Sequence, residues 1–183
     1  MERAVISDAM SGSVRVFIAC SLDGFIAGTD GDLTWLPGPL ADEDYGYGAF
    51  LADTEAILMG RATYEVAAAF DSWPYSETPV FVATSRPLDP VVSSVSAITG
   101  TPTQLLAAVR AESGSGGVYL DGGALIRSFL DAHLIDELIV TVVGVILGFG
   151  TPLFAGTAER HRLRLTAARP YPSGLVQLHY VQQ

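Results

Sequence analysis

The chain has 183 residues, 49% of them hydrophobic and 16% charged, enough to fill one globular core without disulfide or metal staples. Its formal charge of −10 comes from 20 acidic and 10 basic residues, and every basic residue is Arg. The absence of Lys excludes a Walker-type phosphate loop and Schiff-base chemistry, a surface this acidic argues against nucleic acid as a partner, and the lone Cys20 can form neither an internal disulfide nor a Cys-rich zinc site.

Residues 1–13 lack the positive start and continuous apolar run of a signal peptide, and read as a flexible leader to a single domain over 14–183, with a cytoplasmic location expected. A short apolar run at 14–20 reads as a strand, and Asp23-Gly24 after it as a tight turn. A weak helix is expected at 41–52, where Gly46 and Gly48 count against it, then a buried strand at 56–59 and a helix over about 61–70. Strands follow at 79–84 and near 91–98. Thr101-Pro102-Thr103-Gln104 predicts a capped helix start with Leu105, Leu106 and Val109 on its inner face. A strand at 117–123 then ends in glycines and leads into an amphipathic helix at 124–132. The apolar stretch 138–149 is too short to span a membrane, is broken by Gly144 and Gly148, and reads as core strand. Two closing strands form a hairpin through Pro172-Ser173-Gly174. Alternating units first and consecutive strands last predict an α/β fold whose mixed sheet is parallel at the centre and antiparallel at one edge.

Three strand ends carry turns suited to phosphate: Gly60-Arg61-Ala62-Thr63, Thr84-Ser85-Arg86 and Asp121-Gly122-Gly123. In an open parallel sheet such ends face one crevice, and two of these turns lead straight into helices whose first amides are unpaired. Each turn alone is equally well an ordinary helix start; together they suit a diphosphate, with Arg86 reaching a third phosphate. Upstream, Asp42, Glu43 and Asp44 lie among Trp35, Tyr45, Tyr47 and Phe50. The acids suit the first turn of a helix. Equally, an aromatic pocket holding one carboxylate would raise its pKa, make it a proton donor and receive a flat ring.

The ordered set "ASLDGFIAG", "ILMGRATYE", "VATSR", "YLDGGALI" and "DELIVTVVGVILGFGTPLF" resembles the dihydrofolate reductase-like superfamily, in particular the branch of the riboflavin-biosynthesis reductase domain, RibD C-terminal-like. That resemblance implies a three-layer fold with helices on both faces of a mainly parallel sheet, an NADPH-dependent reductase activity and a homodimer. It implies that Ala19 and Ile26 hold the nicotinamide carboxamide by their backbone. Gly60, Arg61 and Thr63 would contact the diphosphate from one side and Gly122, Gly123 and Ala124 from the other. Thr84, Ser85 and Arg86 would lie beside the adenosine 2′-phosphate. The superfamily's proton-donating carboxylate corresponds to Asp44, with Asp42 its rival, and Trp35, Tyr45, Tyr47 and Phe50 are expected to shape the substrate pocket.

The expected activity is hydride transfer to a small heterocyclic, pterin- or pyrimidine-like, or sugar-like substrate. The alternative is a dimeric module of the same fold that binds a nucleotide without chemistry. No metal site is expected, because His133, His161 and His179 are scattered and lack ligand spacing.

Overall fold

The computed structural model describes residues 12–37 and 43–183; most of the expected leader, and Asp42, lie outside them. In chain order the elements are β1 (Val14–Ser21), β2 (Phe25–Ala27), α1 (Tyr47–Ala52), β3 (Ala56–Gly60), α2 (Arg61–Ala68), β4 (Val80–Ala83) and β5 (Val95–Ile98). They continue with α3 (Pro102–Ser113), β6 (Val118–Asp121), α4 (Gly123–Asp131), β7 (Glu137–Val143), β8 (Thr151–Pro152), β9 (Leu163–Pro170) and β10 (Val176–Gln182).

Eight strands form one sheet in the order β5-β4-β3-β6-β1-β7-β10-β9. All neighbours from β5 to β7 pair in parallel, and β10 runs antiparallel to both β7 and β9. A parallel strand is covered on both faces, and its residues alternate between the two covers. Val14, Val16, Leu58, Phe81, Leu120, Leu138 and Val140 point to one side, where Leu105, Leu106 and Val109 of α3 and Leu125, Ile126, Phe129 and Leu130 of α4 pack on them. Ile57, Met59, Val80, Val82, Tyr119 and Ile139 point to the other, beneath Phe50 of α1 and Tyr64 and Ala67 of α2. Phe129 and Ile126 are fully buried, each side chain contributing about 1.5–3 kcal/mol. The result is the α/β three-layer arrangement, helices on both faces and an antiparallel edge at the C-terminal end.

Local chemistry sets the boundaries. Thr101 Oγ1 accepts from the Gln104 amide and Gln104 Oε1 from the Thr101 amide, the reciprocal cap that starts α3. α1 begins at Tyr47 rather than at 41, because Tyr45 (φ 56°) and Gly46 (φ 84°) take left-handed backbone that no helix continues through. The stretch 138–149 is strand only as far as Val143; beyond it Ile146 and Phe149 are exposed, so its second half is surface loop and not core. The hairpin closes where the Gly174 amide donates to Tyr171 O. No described helix is long and apolar enough to cross a membrane.

Candidate functional site

Parallel pairing brings together two turns far apart in sequence. Met59 of β3 pairs with Asp121 of β6, so both strands end at the same level, and each passes directly into a helix. The residues before these helices are Gly60 and Gly122, and neither start has a side-chain cap. Two sets of unpaired amides, at the positive ends of two helix dipoles, therefore sit side by side.

Glycine is what lets the turns meet. Gly122 has φ 101°, and a Cβ there would come 2.6 Å from Thr63 Oγ1. A Cβ at Gly123 would lie 2.9 Å from Ile26 Cδ1 and 3.1 Å from Pro152 O.

Above these turns opens a cavity of about 650 Å³ at the carboxyl ends of β1, β3, β4 and β6. Ala19, Ile26, Gly60, Arg61, Thr63, Gly122, Gly123 and Ala124, all expected on the cofactor side, line it. One wall is the short β2–β8 ribbon, in which Ala27 pairs with Thr151. Asp23 fixes that wall: its carboxylate accepts from Ser21 Oγ at 2.6 Å, Gly148 N at 2.7 Å and Leu147 N at 3.1 Å. Those hydrogen bonds, the Ser21 hydroxyl foremost, hold the Asp23 carboxyl below its ordinary pKa.

The two lining arginines are committed to protein partners. Arg61 pairs with Glu65 at 2.7 Å and donates to Pro87 O at 2.9 Å, Thr84 Oγ1 at 3.4 Å and Arg86 O at 3.5 Å. Arg127 donates to Pro152 O at 2.6 Å and Leu153 O at 3.3 Å. Thr84, Ser85 and Arg86 do not line the cavity itself; Arg61 ties them to its edge, where Ser85 and Arg86 are exposed.

The acid and the aromatics are distributed differently from the sequence expectation. Asp44 is exposed and outside the cavity lining. Its carboxylate accepts from Gly46 N and Gly48 N, both at 2.9 Å, and these amides push its pKa down, opposite to the shift an aromatic pocket would give. Trp35 donates its indole N–H to Asp32 O at 3.1 Å and packs with Tyr45 beside Tyr171, away from the lining. Tyr47 and Phe50 stand one layer back, against Phe17 and Tyr119. Among the described residues, Phe17 and Tyr119 are the aromatics that line the cavity.

Among the described residues, the carboxylate that does line the cavity is Asp121. Its Oδ1 accepts from Gly122 N at 2.7 Å, yet burial outweighs this bond and the Tyr119 hydroxyl and raises its pKa to about 6. Neighbouring phenols stay neutral; burial, and secondly the Asp121 charge, pushes Tyr47 up to about 12. Tyr119 Oη donates to Phe17 O at 3.0 Å, so its single proton is already committed when Asp121 is neutral. Sequence reasoning used the glycine pair and passed over the acid before it. The signal was present: "VYLD" is an apolar run of three buried residues ending in a partly buried carboxylate. Nor are the histidines all scattered, since the rings of His133 and His161 lie 5.8 Å apart beyond the far end of α4.

Comparison with known proteins places this arrangement. The model of the RibD C-terminal domain matches residues 13–177. The uncharacterized protein YwjB of Bacillus subtilis (strain 168) is 36% identical over 175 residues, covering 94% of this chain and 99% of that one. A protein of Shewanella sp. PV-4, provisionally assigned to riboflavin biosynthesis, superposes with a TM-score of 0.84 at 32% identity, over 93% of this chain and 99% of its own. A dihydrofolate reductase of Enterococcus faecalis, complexed with NADP(H), superposes with a TM-score of 0.66 over 94% of this chain and 98% of its own; at 19% identity it shares the fold. The chain belongs to the RibD C-terminal domain family and has the dihydrofolate reductase-like fold.

Proposed function

We propose that this protein is an NADPH-dependent reductase acting on a small, flat heterocycle. The observation that carries the proposal is the cavity itself: two adjacent uncapped helix starts, an aromatic wall and one carboxyl of raised pKa open into the same space. The glycines fit a dinucleotide, because Gly122 and Gly123 leave room that a Cβ would fill, and a diphosphate would meet the free amides of α2 and α4. Gly60, Arg61 by its backbone amide, Thr63 and Gly122–Ala124 would hold it, with Ala19 and Ile26 gripping the carboxamide by their backbone. Thr84, Ser85 and Arg86 at the cavity's edge would meet the 2′-phosphate. When bound, NADPH supplies the hydride.

This chain's own side chains would do the rest. Phe17 and Tyr119 offer flat faces to a ring. Asp121 would hold a proton at its carboxyl and pass it to the reduced C=N or C=O group. Because Arg61 and Arg127 are both engaged with carbonyls, the lining supports an uncharged substrate over a phosphorylated one. The exposed Ile146 and Phe149 of the β7–β8 loop support the homodimer expected for this branch.

Titration of NADPH fluorescence beside NADH is the test. Saturable binding of NADPH, weakened about tenfold or more by Arg86→Ala while NADH affinity stays the same, supports the cofactor assignment. Failure of both nucleotides to bind ends it. Binding without NADPH consumption against pterins, pyrimidines and quinones favours the non-catalytic module.

A further inference from the structure

At the opposite end of α4 from the cavity, three metal-type ligands converge. One ring nitrogen of His133, one of His161 and a carboxylate oxygen of Glu159 all lie within 4.8 Å of one another. His133 follows the last turn of α4 with left-handed backbone (φ 53°), and Glu159 and His161 come from the segment ahead of β9. His133 Nε2 stands 3.0 Å from Glu159 Oε1.

The hydrogen-bonding pattern around His161 is that of a ligand. Its side chain is only 7% exposed, and its Nε2 meets Asp131 Oδ1 at 2.8 Å. Both Asp131 oxygens also lie 3.0 Å from Ala158 N, which fixes the carboxylate as an acceptor. It therefore draws the imidazole proton to Nε2 and leaves the lone pair on Nδ1. That Nδ1 is buried and has no partner among the described residues. Buried polar atoms are otherwise paired, and a carboxylate behind a histidine is the usual outer support of a metal-bound imidazole.

A second unpartnered atom belongs to the same cluster. The Gln182 side-chain carbonyl is buried without a partner, while its amide nitrogen donates to His133 Nδ1 at 2.9 Å. Ligation through His133 Nε2 moves the ring proton to Nδ1. Turning over the Gln182 amide, at the cost of its 3.3 Å hydrogen bond to Leu130 O, then gives that proton an acceptor.

We propose that His133, His161 and Glu159 form a zinc site, with Asp131 orienting His161 and a fourth position open to water. Two imidazoles and a carboxylate suit zinc, and its tetrahedral ligands stand about 3.3 Å apart. The exposed side chains of His133 and Glu159 close the remaining distance by rotation. Bound metal clips the end of α4 to the segment before β9, and through Gln182 to the last strand. The site is independent of the cavity and of any reductase activity.

Calorimetric titration of the untagged chain with zinc chloride, in excess magnesium, tests it. One zinc per chain is expected, with cobalt giving the visible absorption of a four-coordinate site. His133→Ala and Glu159→Ala, both at exposed positions, should weaken zinc by about tenfold or more with unchanged circular dichroism. His179→Ala should bind as the parent does. The absence of saturable zinc binding, or parental affinity in the His133 and Glu159 variants, overturns the proposal.

Discussion

The start of α1 and the end of β6 each place a carboxylate beside aromatic side chains, Asp44 by Tyr171 and Asp121 by Tyr119, and the two acids are perturbed in opposite directions. Asp44 is exposed and takes two backbone amides, so its charged form is favoured. Asp121 takes one amide but is enclosed beneath the cavity, so its neutral form is favoured. Aromatic neighbours in sequence do not make a carboxyl a proton donor; removal from water without enough compensating hydrogen bonds does.

The sharpest way to break this comparison is to neutralise the acid in the cavity. Asp121→Asn should lower turnover by about 10²- to 10⁴-fold, the range for a positioned general acid, while NADPH affinity is kept. Steady-state and fluorescence measurements on the same preparation separate the two effects. Wild-type turnover in this variant removes Asp121 from the chemistry.

The next effect is on stability, and its sign is opposite for the two residues. For Asp121 the folded pKa of about 6 lies above the ordinary 3.8, so the folded state binds the extra proton between those values. Its contribution is fully present below about pH 3.8 and is lost as pH rises through 6, a change of about 3 kcal/mol. Asp44 behaves conversely, its contribution being present above the ordinary value and lost as pH falls through its depressed pKa. Denaturant unfolding from pH 4 to pH 8 should therefore find Asp121→Asn gaining on the parent as pH rises. A constant difference between the two proteins would show that Asp121 is not held neutral.

What was legible in the sequence follows the same division between local and long-range causes. Strand periodicity, the Thr101 cap and the glycines before α2 and α4 are local, and each predicted its element. The late start of α1, at Tyr47 rather than at 41, was not visible, because left-handed backbone at Tyr45 has no sequence signature comparable to that at Gly46. Phe17, Tyr119 and Asp121 share one cavity only because β6 lies between β3 and β1, an order that spacing along the chain does not reveal. His133 and His161 likewise meet through the return of the chain past α4, not through a ligand motif.

The smallest effect belongs to Asp44 and completes the comparison. A carboxylate that accepts two amides at the start of a six-residue helix is a cap, and loss of such a cap lowers stability without touching the cavity. Asp44→Ala should lower the melting temperature by no more than about 4 °C in a chain of this size. Asp44→Asn, which keeps one accepting oxygen, should fall between that variant and the parent. Both should reduce substrate at the parental rate. A turnover loss in Asp44→Asn equal to that of Asp121→Asn would reverse the assignment, because a cap supplies no proton and its removal has no other route to the reacting atoms.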